Sequence, residues 1–237
     1  MPRPSSSGCD VATGFVIAAT GLKAEARLAE KSQGVRAVIG GGREERLAAL
    51  LAQSMEDGFR GLISFGIAGG LRPGLKPGTI VVGTSVLHSS GRVYQSDARW
   101  SDRLFEALPN AESGPVMGSS SIIAGRDEKR AIYLKSGAFA ADMESHVVAQ
   151  LASDRGLPFA VLRVIADPST LTLPPAAVKG LNPDGSPNIP AVLKSLATEP
   201  SQLWDIIRIA GATQRAMKSL FRCHRLLGPG LGCADLG

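Results

Sequence analysis

The residues of this chain best placed for chemistry are a few acids and glycines at the ends of apolar runs. "ADMES" (141–145) sets Asp142 and Glu144 two apart around Met143, between the apolar Ala138-Phe139-Ala140 and the helix-periodic Val147-Val148-Ala149-Leu151. Asp167 closes the apolar run 159–165 and precedes Pro168, and Glu25 follows the first apolar run in "TGLKAEA" (20–26). Glycines cluster at Gly40-Gly41-Gly42 and in "GIAGGL" (66–71). Carboxylates accept hydrogen bonds or move protons, and glycine-rich backbone offers N–H groups to an anion. Each feature also has a plainer reading. Glu144 is suited to a helix start, where the macrodipole favours a carboxylate, Asp167 to a turn, and "GIAGGL" to a tight turn with close backbone packing.

What gives these residues a common address is the order of elements around them. Val11–Thr20 reads as a buried strand and 22–31 as a helix; 35–39 is a second strand, followed by a helix over 44–57 with Leu47, Leu50, Leu51 and Met55 on one face. Leu62–Phe65 is a short strand ending in "GIAGGL", 79–82 is β-branched and extended, and 99–108 is helical. Ile122-Ile123 marks a strand end, 127–135 a helix, 139–143 an extended segment, 144–155 a helix stopped by Gly156, and 159–165 an apolar strand interrupted only by Arg163. Strands alternating with helices predict an α/β fold, a central, mostly parallel twisted sheet flanked by helices. In such sheets ligands bind beyond the carboxyl ends of strands. That rule picks out 20–25, 40–43, 66–70, Ile122-Ile123, Met143-Glu144 and Asp167. From Asp167 to Pro200 the rhythm breaks into a long proline-rich loop with at most a short helix near 191–196.

Composition bounds the function. Hydrophobic residues make up 44% of 237 and charged ones 20%, enough for a sizeable core, and 28 glycines against 5% aromatics suit close strand–helix packing. The first ten residues lack the apolar stretch of a signal peptide, and no long uncharged apolar run follows, so a soluble, cytoplasmic protein is expected. Cys9, Cys223 and Cys233 form no Cys-x-x-Cys pair, and His88, His146 and His224 have no ligand spacing; free thiols and no metal are expected. "GIAGGL" lacks the Gly-x-Gly-x-x-Gly spacing of a dinucleotide site. The net charge of +5 is concentrated between Leu203 and Leu227, where Arg208, Arg215, Lys218, Arg222 and Arg225 face one acid, Asp205. Aromatics are not interleaved with these cations, which argues against nucleic acid.

Taken together, "GIAGGLRPGLKPGTIVV" (66–82), "ADMES" (141–145) and "VLRVIADPS" (161–169), in this order, resemble the purine nucleoside phosphorylase and methylthioadenosine/adenosylhomocysteine nucleosidase superfamily. The resemblance runs from about residue 11 to 168. It implies a single nucleoside-phosphorylase-like domain that cleaves the N-glycosidic bond of a purine nucleoside without a cofactor. By this resemblance Glu144 accepts hydrogen bonds from the ribose 2′- and 3′-hydroxyls, and Met143 packs on the sugar. Asp167 gives a proton to purine N7, and Ile122 and Ile123 hold the base, near Gly69 and Gly70. Glu25 matches the glutamate with which nucleosidases activate water. Phosphorylases carry an arginine in that first loop; here Lys23, Gly42 and Arg43 are the candidates for a phosphate co-substrate. Hydrolysis and phosphorolysis both stay open.

The sequence departs from the family pattern at Ala166, where a serine or threonine normally orients the acid, at Asp142 in place of a glutamate, and at Pro168. Ala166 is the feature that keeps a non-catalytic nucleotide-binding module in view. With "DPSTLTLPPAA" (167–177) and "RCHRLLGPGLG" (222–232), these departures look most like the hopanoid-associated phosphorylase branch. That branch implies removal of adenine from adenosylhopane; a methylthioadenosine/adenosylhomocysteine-type nucleosidase acting on small soluble nucleosides is the alternative. The expected organisation is a flexible 1–10, the domain over 11–200, and a basic amphipathic helix with a glycine-rich tail over 201–237. That helix either lies on an anionic membrane surface at the cytoplasmic face or packs on the core with a solvated basic side. Relatives are commonly homo-oligomers.

Overall fold

Strand β1 (Phe15–Thr20) is apolar up to its closing threonine and alternates its side chains between two cores, which sets the pattern for the molecule. The computed structural model describes residues 14–55, 58–180, 182 and 184–233; the expectations for 1–10 and Cys9 lie outside them. After β1 come α1 (Lys23–Ala29), β2 (Val35–Ile39), α2 (Glu44–Ser54), β3 (Phe59–Gly70), β4 (Ile80–His88), β5 (Val93–Gln95), α3 (Ala98–Ala107) and β6 (Glu112–Gly118). Then follow α4 (Arg126–Ser136), β7 (Ala140–Asp142), α5 (Ser145–Arg155), β8 (Phe159–Asp167), α6 (Pro175–Val178), α7 (Ile189–Thr198) and α8 (Leu203–Leu227).

The eight strands form one mixed sheet. Pairings β1–β2, β1–β3, β3–β8, β4–β6 and β6–β7 are parallel, while β3–β7, β4–β5 and β4–β8 are antiparallel. Strand β3 holds the fold together. Its first half pairs with β1 on one edge, its tip pairs with β7 on that same edge, and β8 runs along the other. Because β8 also pairs with β4, β4 with β6 and β6 with β7, the strands β3, β7, β6, β4 and β8 close into a ring.

Helices cover both faces of the sheet. Val16, Ile63, Phe65, Leu162 and Val164 pack with Trp100 and Leu104 of α3 and with Ala216, Leu220 and Leu227 of α8. Ile17, Leu62, Val161 and Ile165 pack with Leu47 and Leu51 of α2 and Val148 and Ala152 of α5. Each such buried Val, Leu, Ile or Phe side chain contributes about 1.5–3 kcal/mol. Helix ends follow local chemistry: Asp97 accepts from the Trp100 N–H at 2.8 Å to start α3, and Gly156, at φ 64°, ends α5 in the left-handed conformation glycine tolerates.

Three expectations need correction. "GIAGGL" is not a turn: β3 runs on through Gly70, because β7 and β8 both pair with its tip. Ile122-Ile123 lies in a loop, four residues past the end of β6, whose Gly- and Pro-containing sequence ESGPVMG hides a strand. The short β5 likewise went unmarked in the sequence. The stretch 168–200 is more ordered than a long loop, holding α6 and a full α7 started by Asn188, whose side chain accepts from the Ala191 N–H. Helix α8 buries Ala212, Ala216, Leu220, Cys223 and Leu227 and turns its five cations to solvent, so the tail helix packs on the core. Cys223 and Cys233 are buried, and burial pushes the Cys223 thiol up to about 12.

Candidate active site

The tip of β3 is where three motifs meet. Gly69 pairs with Ala141 of β7 on one edge and with Asp167 of β8 on the other, so "GIAGGL", "ADMES" and "VLRVIADPS" share a single end of the sheet. A cavity of about 180 Å³ opens there, bordered by Glu25, Gly42, Gly69, Met143, Glu144 and Asp167.

Glu25 is the third residue of α1 and is buried. Its carboxylate accepts from the N–H groups of Gly21 (2.9 Å) and Leu22 (2.8 Å), capping its own helix, and from the Ile67 N–H across the cavity at 2.7 Å. Burial pushes this carboxyl above its ordinary range, opposed by the Arg163 charge and the three amides. The close approach depends on Gly66: a Cβ there would sit 2.6 Å from Glu25 Oε1. Gly66→Ala is therefore expected to push Glu25 off its amides and cost about 1–3 kcal/mol, read as a lower thermal midpoint; an unchanged midpoint would show that the cavity can absorb a methyl.

Arg163 organises the second group of acids. It is the charge that interrupts the apolar strand, it is 0% exposed, and it points toward β7. Its Nε lies 3.0 Å from Asp142 Oδ2, its Nη2 donates to Glu144 Oε2 at 3.3 Å and to Ser64 Oγ, and its Nη1 donates to the Ile67 carbonyl. Asp142 also accepts from the Glu144 and Ser145 N–H groups and from the Ser145 hydroxyl, and so starts α5. The pair of acids in "ADMES" is thereby divided: Asp142 is saturated by protein donors, while Glu144 borders the cavity. Glu144 lies against Gly21, where a Cβ would come within 2.9 Å of its Oε1, and Met143 lies against Gly42. Burial, with the neighbouring Asp142 and Glu25 charges and against Arg163, pushes Glu144 up to about 7.

Asp167, the last residue of β8, is bound by a residue the sequence did not single out. Lys129, in the first turn of α4, is fully buried; its ammonium donates to Asp167 Oδ2, to the Leu171 carbonyl at 2.9 Å and to the Pro168 carbonyl at 3.4 Å. Burial raises Asp167 and Lys129 opposes the rise. Since the folded state holds the Glu25, Glu144 and Asp167 protons more tightly than the unfolded chain, it binds more protons above about pH 4.5. Stability due to these groups is present at low pH and is lost as pH rises, for Glu144 between 4.5 and about 7. A lower urea midpoint at pH 8 than at pH 5 is the expected result; a rise over that interval would contradict it.

The other sequence candidates lie at varying distance. Gly70 backs Asp167, with a Cβ there 3.1 Å from the Asp167 carbonyl. Lys23 Nζ pairs with Asp184 Oδ2 at 2.6 Å, and its N–H donates to the Gly185 carbonyl, so the 184–188 stretch lies over the first loop. Arg43 is exposed at the start of α2. Ile122 is 37% exposed and does not border the 180 Å³ cavity. Ile123 lines a second cavity of about 490 Å³ with Leu87, Met117 and Ile132. These four pack in one apolar cluster with Ala141, which borders the first cavity. Among the described residues, no group of three or more His, Cys, Asp and Glu is placed to hold a metal.

Comparison with known proteins agrees with this fold. The family model of the phosphorylase superfamily matches residues 15–195, and the chain belongs to that superfamily. Its fold is that of a nucleoside phosphorylase or nucleosidase, and the solved structures most like it include 5′-methylthioadenosine/S-adenosylhomocysteine nucleosidases. The enzyme from S. pneumoniae, solved with the transition-state inhibitor MT-ImmA, is 19% identical with a TM-score of 0.61, over 90% of this chain and 99% of that one. The enzyme from Neisseria meningitidis, in complex with methylthio-immucillin-A, is 17% identical with a TM-score of 0.61, over 88% and 98%. The Helicobacter pylori enzyme with butyl-thio-DADMe-Immucillin-A is 13% identical, again at 0.61, over 87% and 96%. No curated protein matches the sequence at a significant level.

Proposed function

We propose that this protein hydrolyses the N-glycosidic bond of an adenine nucleoside whose 5′ carbon carries a bulky apolar group, with adenosylhopane as the substrate and adenine as a product. The observation that carries the reading is the convergence of Glu25, Met143, Glu144 and Asp167 on one cavity of about 180 Å³. In this mechanism Asp167 delivers a proton to purine N7 as the electron pair of the breaking C–N bond passes to the base. Glu144 accepts hydrogen bonds from the ribose 2′- and 3′-hydroxyls, and Glu25 takes the proton of the water that adds to the oxocarbenium-like sugar.

Hydrolysis is favoured over phosphorolysis by the state of the amides. The N–H groups of Gly21, Leu22 and Ile67, which could cradle an anion, are taken by Glu25, and Lys23 is paired with Asp184. Adenine release is expected to proceed at full rate without phosphate; a strict phosphate requirement would overturn this part. Glu144 must be ionised to accept from both hydroxyls. The KM is accordingly expected to fall as pH rises through about 7, and a KM flat from pH 6 to 8 would remove Glu144 from that role.

The apolar 5′ group is supported by the 490 Å³ cavity, whose walls include Leu87, Met117, Ile123 and Ile132. It is also supported by apolar side chains left in solvent near the entrance of α8, where Trp204 is 78% exposed, Leu193 61% and Ile207 53%. Among the described residues no helix is long and apolar enough to cross a membrane. A peripheral contact through these side chains and the exposed cations of α8 would bring the enzyme to a lipid-borne nucleoside, each cation near an anionic surface adding about 1 kcal/mol. Turnover of adenosylhopane in anionic vesicles, compared with that of methylthioadenosine in solution, tests the assignment. Faster turnover of the small nucleoside would make the enzyme an ordinary soluble-substrate nucleosidase, and no adenine release from either would favour a binding module.

A further inference from the structure

The role of Asp167 raises a question of orientation, because Ala166 supplies no polar side chain to hold the carboxyl. Lys129 answers it. The side chain reaches from the first turn of α4 to the end of β8, is 0% exposed, and spends its donors on Asp167 Oδ2 and on the carbonyls of Leu171 and Pro168. An ammonium is strongly hydrated, so burying one with no water-facing surface costs several kcal/mol unless each donor is met. Here each is met, and by two kinds of partner: the acid itself and the backbone that immediately follows it. The same cation thus fixes the carboxylate and the turn of chain, 168–171, that leads away from it.

We propose that Lys129 is the positioning residue of Asp167: it holds the carboxyl at the mouth of the cavity and stabilises the carboxylate left once its proton has gone to the leaving purine. This inference rests on the reading of Asp167 as the proton donor. Before the reaction the carboxyl carries the transferable proton beside the ammonium. In the reaction that proton passes to N7 as the glycosidic bond breaks, leaving a carboxylate that the ammonium stabilises, and solvent restores the proton after adenine departs. Few other charges act on Asp167. Lys129 of α4 is its ion-pair partner, β3 presents Gly69 to its carboxyl oxygens, and the other cavity acids are held elsewhere, Glu25 by backbone amides and Glu144 by Arg163.

The position tests the proposal through two variants of the full-length protein, Lys129→Met, which removes both charge and donor, and Lys129→Gln, which keeps a donor without charge. Adenine release is measured from pH 5 to 9 for both, with Asp167→Asn alongside. Lys129→Met is expected to lower kcat by about 100-fold with KM changed less than about threefold, since the lost contact aims the acid and does not bind the sugar. The pH at which kcat falls on the alkaline side should rise in both variants, because an acid freed of an adjacent cation keeps its proton to higher pH. Lys129→Gln should recover part of the lost kcat while keeping the shifted profile. An unshifted profile with near-normal kcat in the Met and Gln variants, with Asp167→Asn inactive, would overturn the role of Lys129 and leave the acid assignment standing. An active Asp167→Asn would instead remove the reading on which it rests. If Lys129→Met does not fold, Lys129→Gln decides through its profile alone.

Discussion

Asp167→Asn is expected to lower the rate of adenine release by about 10²–10⁴-fold, the usual contribution of a positioned general acid. The amide keeps the size of the side chain and an oxygen for Lys129, but it has no acidic proton to give to purine N7. The protein should remain folded, because the Lys129 ammonium keeps the carbonyls of Pro168 and Leu171 as acceptors. Initial rates and thermal unfolding measured on the same preparation separate the two effects. Retention of near-normal rates would end the assignment of Asp167, whatever the stability.

The largest effect on stability is expected at Arg163. Methionine there fills much of the same volume but removes the cation that faces Asp142 and Glu144 and acts at longer range on Glu25. Breaking a buried pair from one side typically costs about 3–5 kcal/mol, since the remaining charge stays in the interior without compensation. Urea unfolding of Arg163→Met should show a loss of that size at pH 8, and a smaller loss at pH 5, where Glu144 is protonated without the arginine's help. Adding Asp142→Asn to the methionine variant should recover part of the loss, because one of the stranded charges is gone. Equal losses at both pH values would mean that the arginine acts by packing and not by charge.

The two residues differ in how far the sequence announces them. Arg163 is a single charge inside a run of apolar residues, a pattern that points to a paired cation in a buried strand, although nothing in the run names Asp142, Glu144 or Ser64 as the partners. Lys129 sits among Arg126, Asp127, Glu128 and Arg130 at the start of a helix that looks solvated all round. That it is the buried member follows only from where α4 is docked, which no local pattern encodes. The same limit applies to "GIAGGL". Its glycines are visible, but their extended conformation is imposed by pairing with Ala141 and Asp167, far along the chain. The order of strands and helices, Asp167 at a strand end and the amphipathic α8 were legible because each rests on period or on position after an apolar run. Strand β6 was not, since Gly114 and Pro115 break its pattern. The helix content of 168–200 was masked by prolines, which at Pro175 and Pro190 open helices.

The ring of strands has a consequence for how the molecule opens. Amides in β3 and β8 are locked between neighbours on both edges, so their hydrogen exchange should require global unfolding, whereas the segment after Pro168, held by short helices and an exposed, solvent-screened Lys23–Asp184 pair, should exchange through local opening. Asp167 is the last residue on the slow side of that boundary. The proposed proton donor thus sits at a seam between a part of the chain that stays shut for the life of the fold and a part that can lift away and return many times without disturbing it.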